Sequence, residues 1–270
     1  MQVLSPTSVD EALTMMSGRD GPVTPIAGGT DLLVAWHHQP KDDLTLLNLW
    51  HLAELHEFRF TDDHLELGAL TTYWQTIESN RIAEEFPLLT EAALQVGAIQ
   101  IQTRGTWAGN IGNGSPAADG VPVMMAYDAV VVLRSSSGTV EVPLDRYYTG
   151  YKQTVRKPDQ LITAIRIPRR RRDVEWFHKV GSRSAQTISK VGAAVVKDDR
   201  GWRVAVNSVA PFVCRCRKLE QALDAGRSFQ DPESIRRIVA QDISPITDMR
   251  STAAYRETVL ARLLFHFLSE

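Results

Sequence analysis

Cysteine is scarce in this 270-residue chain: Cys214 and Cys216 are its only two copies, and they lie two positions apart. That spacing is poor for a disulfide. An iron–sulfur cluster requires about four thiolate ligands, so this chain alone is not expected to hold one. The seven histidines are scattered and indicate no metal site. We therefore predict neither a disulfide nor a bound metal.

A strong charge of one sign and long apolar runs are also missing. The formal net charge is −2, so no overall attraction to nucleic acid or to a membrane surface is expected. The longest apolar runs, such as 129–133, fall far short of the roughly 20 residues that span a bilayer. The amino terminus shows no basic segment followed by an apolar one, as a secretory signal would. These absences predict a cytoplasmic protein with no membrane span and no nucleic-acid partner.

The order of the predicted elements indicates an α+β fold in two domains. Residues 1–170 are predicted as the first domain. It consists of a small parallel strand–helix–strand subdomain, 1–56, and a larger subdomain, 57–170, of helices and two hairpins, 58–67 and 129–142. Residues 173–270 are predicted as a smaller domain, in which an antiparallel sheet is followed by three helices.

Two local features refine this organisation. The run of four arginines, 169–172, separates the two domains and is interpreted as a solvated linker. An acidic partner could also contact it, although the linker interpretation is favoured. In the second domain, Asp231 and Ser251 are predicted to cap the last two helices.

The first functional signal is the segment Ile26-Ala27-Gly28-Gly29-Thr30-Asp31-Leu32, between a predicted strand and a predicted helix. Adjacent glycines allow the backbone to turn tightly and to approach a ligand closely. The following helix would direct its free N–H groups and its positive dipole end toward a pyrophosphate. A simple strand-to-helix turn is the alternative.

The second signal is the segment 105–119, which contains four glycines and two asparagines and is predicted as a long loop without regular structure. Such loops in compact domains tend to be functional. Its amides could hold phosphates, and Asp119 could accept a hydrogen bond from a ribose hydroxyl. Neither segment matches the Rossmann or P-loop glycine pattern. Together they favour nucleotide binding of another type over two surface loops.

Motifs along almost the whole chain resemble the FAD-binding medium subunits of the molybdenum hydroxylases. This family includes xanthine dehydrogenase, aldehyde oxidoreductases and carbon monoxide dehydrogenase. Each motif alone is weak, whereas their order and spacing together are specific. They are Pro6-x-Ser8-x-x-Glu11, Ala27 to Leu32, Thr106-x-x-Gly109-Asn110, Ser115-Pro116-x-x-Asp119, Pro158-x-x-Leu161-Ile162, Lys179-x-x-Ser182-Arg183, Ile188-Ser189-Lys190-Val191 and Asp248-x-Arg250-x-x-x-x-Tyr255-Arg256.

The resemblance implies a vanillyl-alcohol-oxidase-type (PCMH-type) FAD-binding domain, followed by the smaller α+β domain. FAD would lie between the two glycine-rich segments. Asp119 would reach the adenosine side, and Leu161 and Lys179 would line the flavin pocket. No catalytic acid, base or nucleophile is assigned, because the flavin carries the chemistry. The implied FAD-binding residues are Ile26, Ala27, Gly28, Gly29, Thr30, Asp31, Leu32, Thr106, Trp107, Ala108, Gly109, Asn110, Asp119, Leu161 and Lys179.

This sequence departs from the family pattern in the second segment. The family usually has Thr-Ile-Gly-Gly-Asn, where this chain has Thr106-Trp107-Ala108-Gly109-Asn110. The methyl group of Ala108 is expected to loosen the approach of the backbone to the cofactor. Trp107 could pack beneath the segment or near the flavin, and packing beneath the segment is favoured.

The resemblance also implies a division of labour among subunits. A large subunit would carry molybdopterin and hydroxylate the substrate, and a small subunit would carry two [2Fe–2S] clusters. This chain would receive the electrons on FAD and pass them to NAD⁺ or another acceptor. Two alternatives are a stand-alone flavin oxidase of a small alcohol and a flavin-free assembly module.

Overall fold

The structure is a computed structural model that describes residues 1–19, 21–38, 43–184 and 186–269. It shows an α+β fold of helices with parallel and antiparallel sheets. Within the part of the chain described, no helix has the length and apolarity needed to cross a membrane.

A three-stranded parallel sheet begins the chain. Its elements are β1 (Gln2–Leu4), α1 (Val9–Ser17), β2 (Val23–Ile26), α2 (Leu32–His38) and β3 (Thr45–Asn48). The strand order is β1-β3-β2, and β3 is parallel to both neighbours. The predicted parallel β2-α2-β3 unit is therefore confirmed, and β1 is a strand that the sequence analysis did not identify.

The larger subdomain is built on a five-stranded antiparallel sheet in the order β4-β5-β10-β6-β7. Its helix α8 (Gly120–Ala126) is buried along its whole length, which explains its continuous apolar sequence. The two predicted hairpins, β4-β5 and β6-β7, are confirmed. The elements are β4 (Phe58–Phe60), β5 (His64–Gly68), α3 (Tyr73–Ile77), α4 (Asn80–Glu85), α5 (Pro87–Gln95), α6 (Ile99–Gln102), α7 (Trp107–Asn113), α8 (Gly120–Ala126), β6 (Val130–Ser135), β7 (Gly138–Pro143), β8 (Tyr148–Gly150), β9 (Gln153–Thr154) and β10 (Leu161–Pro168).

The last part of the chain forms a four-stranded antiparallel sheet and three helices. The sheet order is β11-β12-β13-β14. The β12-β13 hairpin and the three helices were predicted and are confirmed, whereas β11 was not predicted. The elements are β11 (Val174–Val180), β12 (Val191–Asp198), β13 (Gly201–Asn207), β14 (Cys214–Arg215), α9 (Arg217–Asp224), α10 (Pro232–Val239) and α11 (Ala253–Ser269).

The predicted helix caps are half correct. Asp231 accepts a hydrogen bond from the Ser234 amide and caps α10. The cap of α11 is Thr252, whose Oγ1 accepts from the amide of Tyr255 at 3.2 Å. Ser251 forms a β-bridge with Asp248 instead, so its prediction as a cap is wrong by one position.

Strand β12 is buried on both faces and joins the two domains. Since successive side chains of a strand point to opposite faces, Ala194 and Val196 pack into the core of the first domain. Val191, Ala193 and Val195 pack into the core formed with the carboxy-terminal helices. The second domain therefore packs directly against the core of the first.

Three of the four arginines between the domains, Arg169, Arg170 and Arg172, are half-buried, so the prediction of a solvated linker is wrong for them, whereas Arg171 is exposed. Arg169 pairs with Glu85 at 2.7 Å. The Arg172 guanidinium lies 4.6 Å and 4.4 Å from the ring centroids of Phe86 and Tyr127. A planar guanidinium stacks well on aromatic rings, so these arginines bind the junction together.

Candidate functional site

A cavity of about 610 Å³ lies where the two glycine-rich segments meet the start of β10. One wall comes from the small parallel sheet and the other from the larger subdomain. The cavity is lined by twelve of the fifteen predicted cofactor-binding residues: Ile26, Ala27, Gly28, Gly29, Thr30, Asp31, Leu32, Thr106, Ala108, Gly109, Asn110 and Leu161.

The backbone at Gly28 lies close against that of Arg104, the residue directly before the second segment. A Cβ atom added at Gly28 would lie 1.7 Å from the carbonyl oxygen of Arg104. No side chain fits there, so glycine is required for the contact between the segments. From the sequence, this glycine was expected to allow the close approach of a ligand. The neighbouring Gly29 has φ +74°, a left-handed conformation that favours glycine.

The second segment is not a loop without regular structure, so that prediction is wrong. Residues 107–113 form α7, whose first turn is capped by Thr106: its Oγ1 accepts a hydrogen bond from the amide of Gly109 at 3.0 Å. Gly114, at φ +61°, ends the helix. A β-bridge between Thr72 and Thr106 fixes its start to the body of the domain.

Trp107 lies beneath the cavity. Its side chain is fully buried, and its ring centroid is 4.8 Å from that of Tyr73 in an edge-to-face arrangement. The ring also packs on Gly120, where a Cβ would lie 2.8 Å from it. Trp107 therefore supports α7 from the core side, and Gly120 makes room for its ring.

Asp119 and Lys179 form a nearly buried ion pair at the domain junction. Lys179 Nζ lies 2.6 Å from Asp119 Oδ2, and the two side chains are 5% and 12% exposed. Ser189 Oγ donates to the other carboxylate oxygen at 2.6 Å. Burial raises the pKa of Asp119, while Lys179 and Ser189 act in the opposite direction. Neither side chain lines the cavity, so their contacts with adenosine and flavin remain predictions without support from this geometry.

The second domain also forms hydrogen bonds to the segment that follows α7. The amide of Ser208 donates to the carbonyl oxygen of Pro116 at 2.7 Å. The side-chain amide of Asn207 donates to the carbonyl oxygen of Ala118 at 3.0 Å. Ile188, from the same domain, lines the cavity. The second domain thus positions α7 and completes the cavity wall.

The open groups of the cavity suit a flavin dinucleotide. Asn110 lines the cavity, and its Oδ1 has no hydrogen-bond partner among the described residues. A Cβ at Gly112 would meet only Ile162 Cδ1, at 3.6 Å, so this face of α7 is open. Apolar side chains that would suit a ring system also line the cavity: Leu49, Leu70, Val96, Ile101, Ile162 and Ile188.

Arg156 and Gln160 line the cavity but were not identified from the sequence. The Arg156 guanidinium donates to the carbonyl oxygen of Gln160 at 2.7 Å. Gln160 Oε1 accepts from the amide of Lys157 at 2.9 Å, which closes a tight turn before β10. A basic residue before a Lys-Pro turn is too common in proteins to indicate a binding site.

Two family models match the chain. The model described as "FAD binding domain in molybdopterin dehydrogenase" matches residues 1–170. The model described as "CO dehydrogenase flavoprotein C-terminal domain" matches residues 176–270. Together they cover almost all of both domains.

Individual proteins give the same result. The chain is 31% identical to the xanthine dehydrogenase FAD-binding subunit of Escherichia coli O157:H7, over 91% of this chain and 87% of that protein. It is 26% identical to the carbon monoxide dehydrogenase medium chain of Hydrogenophaga pseudoflava, over 96% and 93%. A solved structure of carbon monoxide dehydrogenase from the same organism superposes with a TM-score of 0.89 at 26% identity, over 98% of this chain and 95% of that one.

Proposed function

The chain belongs to the FAD-binding medium subunits of the xanthine dehydrogenase and carbon monoxide dehydrogenase family, with FAD as its cofactor, and we propose that the cavity between its two glycine-rich segments binds that FAD. The convergence of these segments carries the proposal. They lie far apart in the sequence, yet Gly28 contacts the backbone of Arg104 and both segments line one cavity.

The residues of the cavity divide into two groups. The backbone from Gly28 to Asp31 and from Thr106 to Asn110 would hold the diphosphate and the ribityl chain. The apolar wall, which includes Val96 and Ile101, would exclude water from the ring system. Bound FAD supplies the capacity to accept and release electrons, whereas the protein supplies position and electrostatics. No side chain is assigned as acid, base or nucleophile.

We further propose that this oxidoreductase subunit works within a larger complex. Its relatives are named as subunits or medium chains. The described residues contain no group of side chains suited to a metal ion, and burial raises the pKa of Cys214 to about 12. A neutral thiol is a poor cluster ligand. Electrons would therefore come from partner chains with molybdopterin and [2Fe–2S] clusters, and leave to NAD⁺ or another acceptor.

The test is flavin reduction by substrate, followed as loss of visible absorption without oxygen. The isolated chain, loaded with FAD, should not be reduced by purines, aldehydes or N-heterocycles, whereas dithionite should reduce it. Reduction by one of these substrates should appear after co-expression with a molybdopterin-binding chain and a [2Fe–2S] chain. Reduction of the isolated chain by a small substrate would favour the stand-alone oxidase. Failure to bind FAD at all would favour the assembly module.

A further inference from the structure

Arg156 brings a positive charge to the cavity. Among the described residues that line the cavity, Arg156 is the only cation and Asp31 is the only carboxylate. Arg156 forms none of the ion pairs found among the described residues, unlike the arginines of the domain junction. No carboxylate of the described residues therefore neutralises its charge by direct contact.

The position of Arg156 is fixed by its own turn. Nη1 donates to the carbonyl oxygen of Gln160 at 2.7 Å and to that of Lys157 at 3.3 Å. Both bonds use the same terminal nitrogen, and the guanidinium also interacts with the hydroxyl of the buried Tyr147. Because a guanidinium carries five N–H donors, such anchoring orients the group without using all of its donors.

The charge of FAD calls for such a group. Its diphosphate is doubly negative at neutral pH, and the two glycine-rich segments offer it backbone amides but no full positive charge. Asp31 has the wrong sign. Moving a dianion into a partly buried site without a cation is costly, and the guanidinium fork matches phosphate oxygens particularly well.

We propose that Arg156 is a cofactor-binding residue whose guanidinium holds the diphosphate of FAD. The proposal rests on the assignment of this cavity as the FAD site.

The test uses three variants of the full chain, freed of FAD and titrated with FAD while the flavin fluorescence is followed. Arg156→Gln removes the charge but keeps an amide donor for the carbonyl of Gln160, so the turn should persist. Its FAD affinity should fall by about 10- to 100-fold, the range typical of a lost hydrogen bond to a charged group. Arg156→Lys keeps the charge and should lose less. Lys157→Gln removes the same charge one residue further along, at an exposed position outside the cavity lining, and should bind as the parent does.

Two further measurements locate the charge. Salt should weaken FAD binding to the parent more than to Arg156→Gln, because only the parent retains the screened attraction. The reduction potential of the bound flavin should be the same in both, since the charge acts on the diphosphate. A shifted potential would place the guanidinium at the flavin ring and overturn the proposal. Unchanged affinity of a folded Arg156→Gln, or an equal loss in Lys157→Gln, would overturn it as well.

Gly112→Leu separates this proposal from the function on which it rests. The leucine side chain would occupy the open face of α7 without a backbone clash, so FAD binding should be lost while circular dichroism stays unchanged. If Gly112→Leu blocks FAD and Arg156→Gln does not weaken it, only the role of Arg156 fails. If a folded Gly112→Leu binds FAD normally, the cavity is not the FAD site and both proposals fall.

Discussion

Gly28→Ala is expected to separate the two glycine-rich segments even in the absence of FAD. The new methyl carbon would lie 1.7 Å from the carbonyl oxygen of Arg104 and 2.4 Å from its carbonyl carbon. Non-bonded heavy atoms need a separation of roughly 3.5 Å, so one of the two backbones must move by more than about 1 Å. The stacking of the Arg104 guanidinium on Trp50, 3.9 Å from the ring centroid, opposes that movement.

The cost can be bounded from similar overpacking in protein interiors. Such substitutions destabilise by about 1–3 kcal/mol, which corresponds to a fall in Tm of roughly 2–12 °C for a chain of this size. The measurement is thermal unfolding of the FAD-free protein, followed by a titration with FAD. Gly112→Ala is the matched control. Its methyl group meets nothing closer than 3.6 Å, and alanine is more favourable than glycine within a helix by about 1 kcal/mol.

One result would refute this reasoning. If FAD-free Gly28→Ala unfolds at the parent temperature and yet binds FAD weakly, the glycine serves the approach of the ligand and not the contact with Arg104. If the alanine variant matches the parent in both measurements, the two segments do not meet at this atom.

Two other predictions concern the domain junction. Lys179→Met should leave the Asp119 carboxylate buried without its cation and destabilise the FAD-free chain by about 3–5 kcal/mol, measured by denaturant unfolding. Combining it with Asp119→Asn should recover part of this loss. Purely additive effects of the two substitutions would contradict the pairing. Burial opposes ionisation of Asp198, but hydrogen bonds from Arg203 and the Arg200 amide and the charges of Arg203 and Arg170 outweigh it and lower the pKa of Asp198. The ionised form is thus favoured on folding, so its stabilisation should be complete above the unfolded pKa of about 4 and lost as the pH falls below it. Asp198→Asn should flatten the pH dependence of the unfolding free energy there, and an unchanged slope would show that other carboxylates govern it.

Elements with a strong local signal could be predicted from the sequence. The buried helix α8 follows from a continuous apolar run, and Asp231 before Pro232 marks a helix start. Helix α7 could not be predicted in this way, because Gly109 and Gly112 lower its intrinsic propensity. Its stability comes from the burial of Trp107 and Ile111, which only the tertiary structure provides.

The charged residues of the site illustrate a second limit. Asp119 and Lys179 belong to motifs and attracted a cofactor role, whereas the structure pairs them with each other across 60 positions of the chain. Arg156 belongs to no recognised motif and lies on the cavity wall. Local patterns do not reveal which charges neutralise one another, because the packing of α8 against β12 and β13 decides it.

The grip of the second domain on residues 115–119 has a consequence for synthesis of the protein on the ribosome. The cavity wall extends along the chain from Thr24 to Ile188, and the carbonyls of Pro116 and Ala118 accept hydrogen bonds from Ser208 and Asn207. A nascent chain that has emerged only as far as the domain junction therefore has both glycine-rich segments but not the complete cavity wall. If this cavity is the FAD site, as proposed, we expect FAD to bind only after the chain up to Ser208 has been made and has folded against the amino-terminal domain.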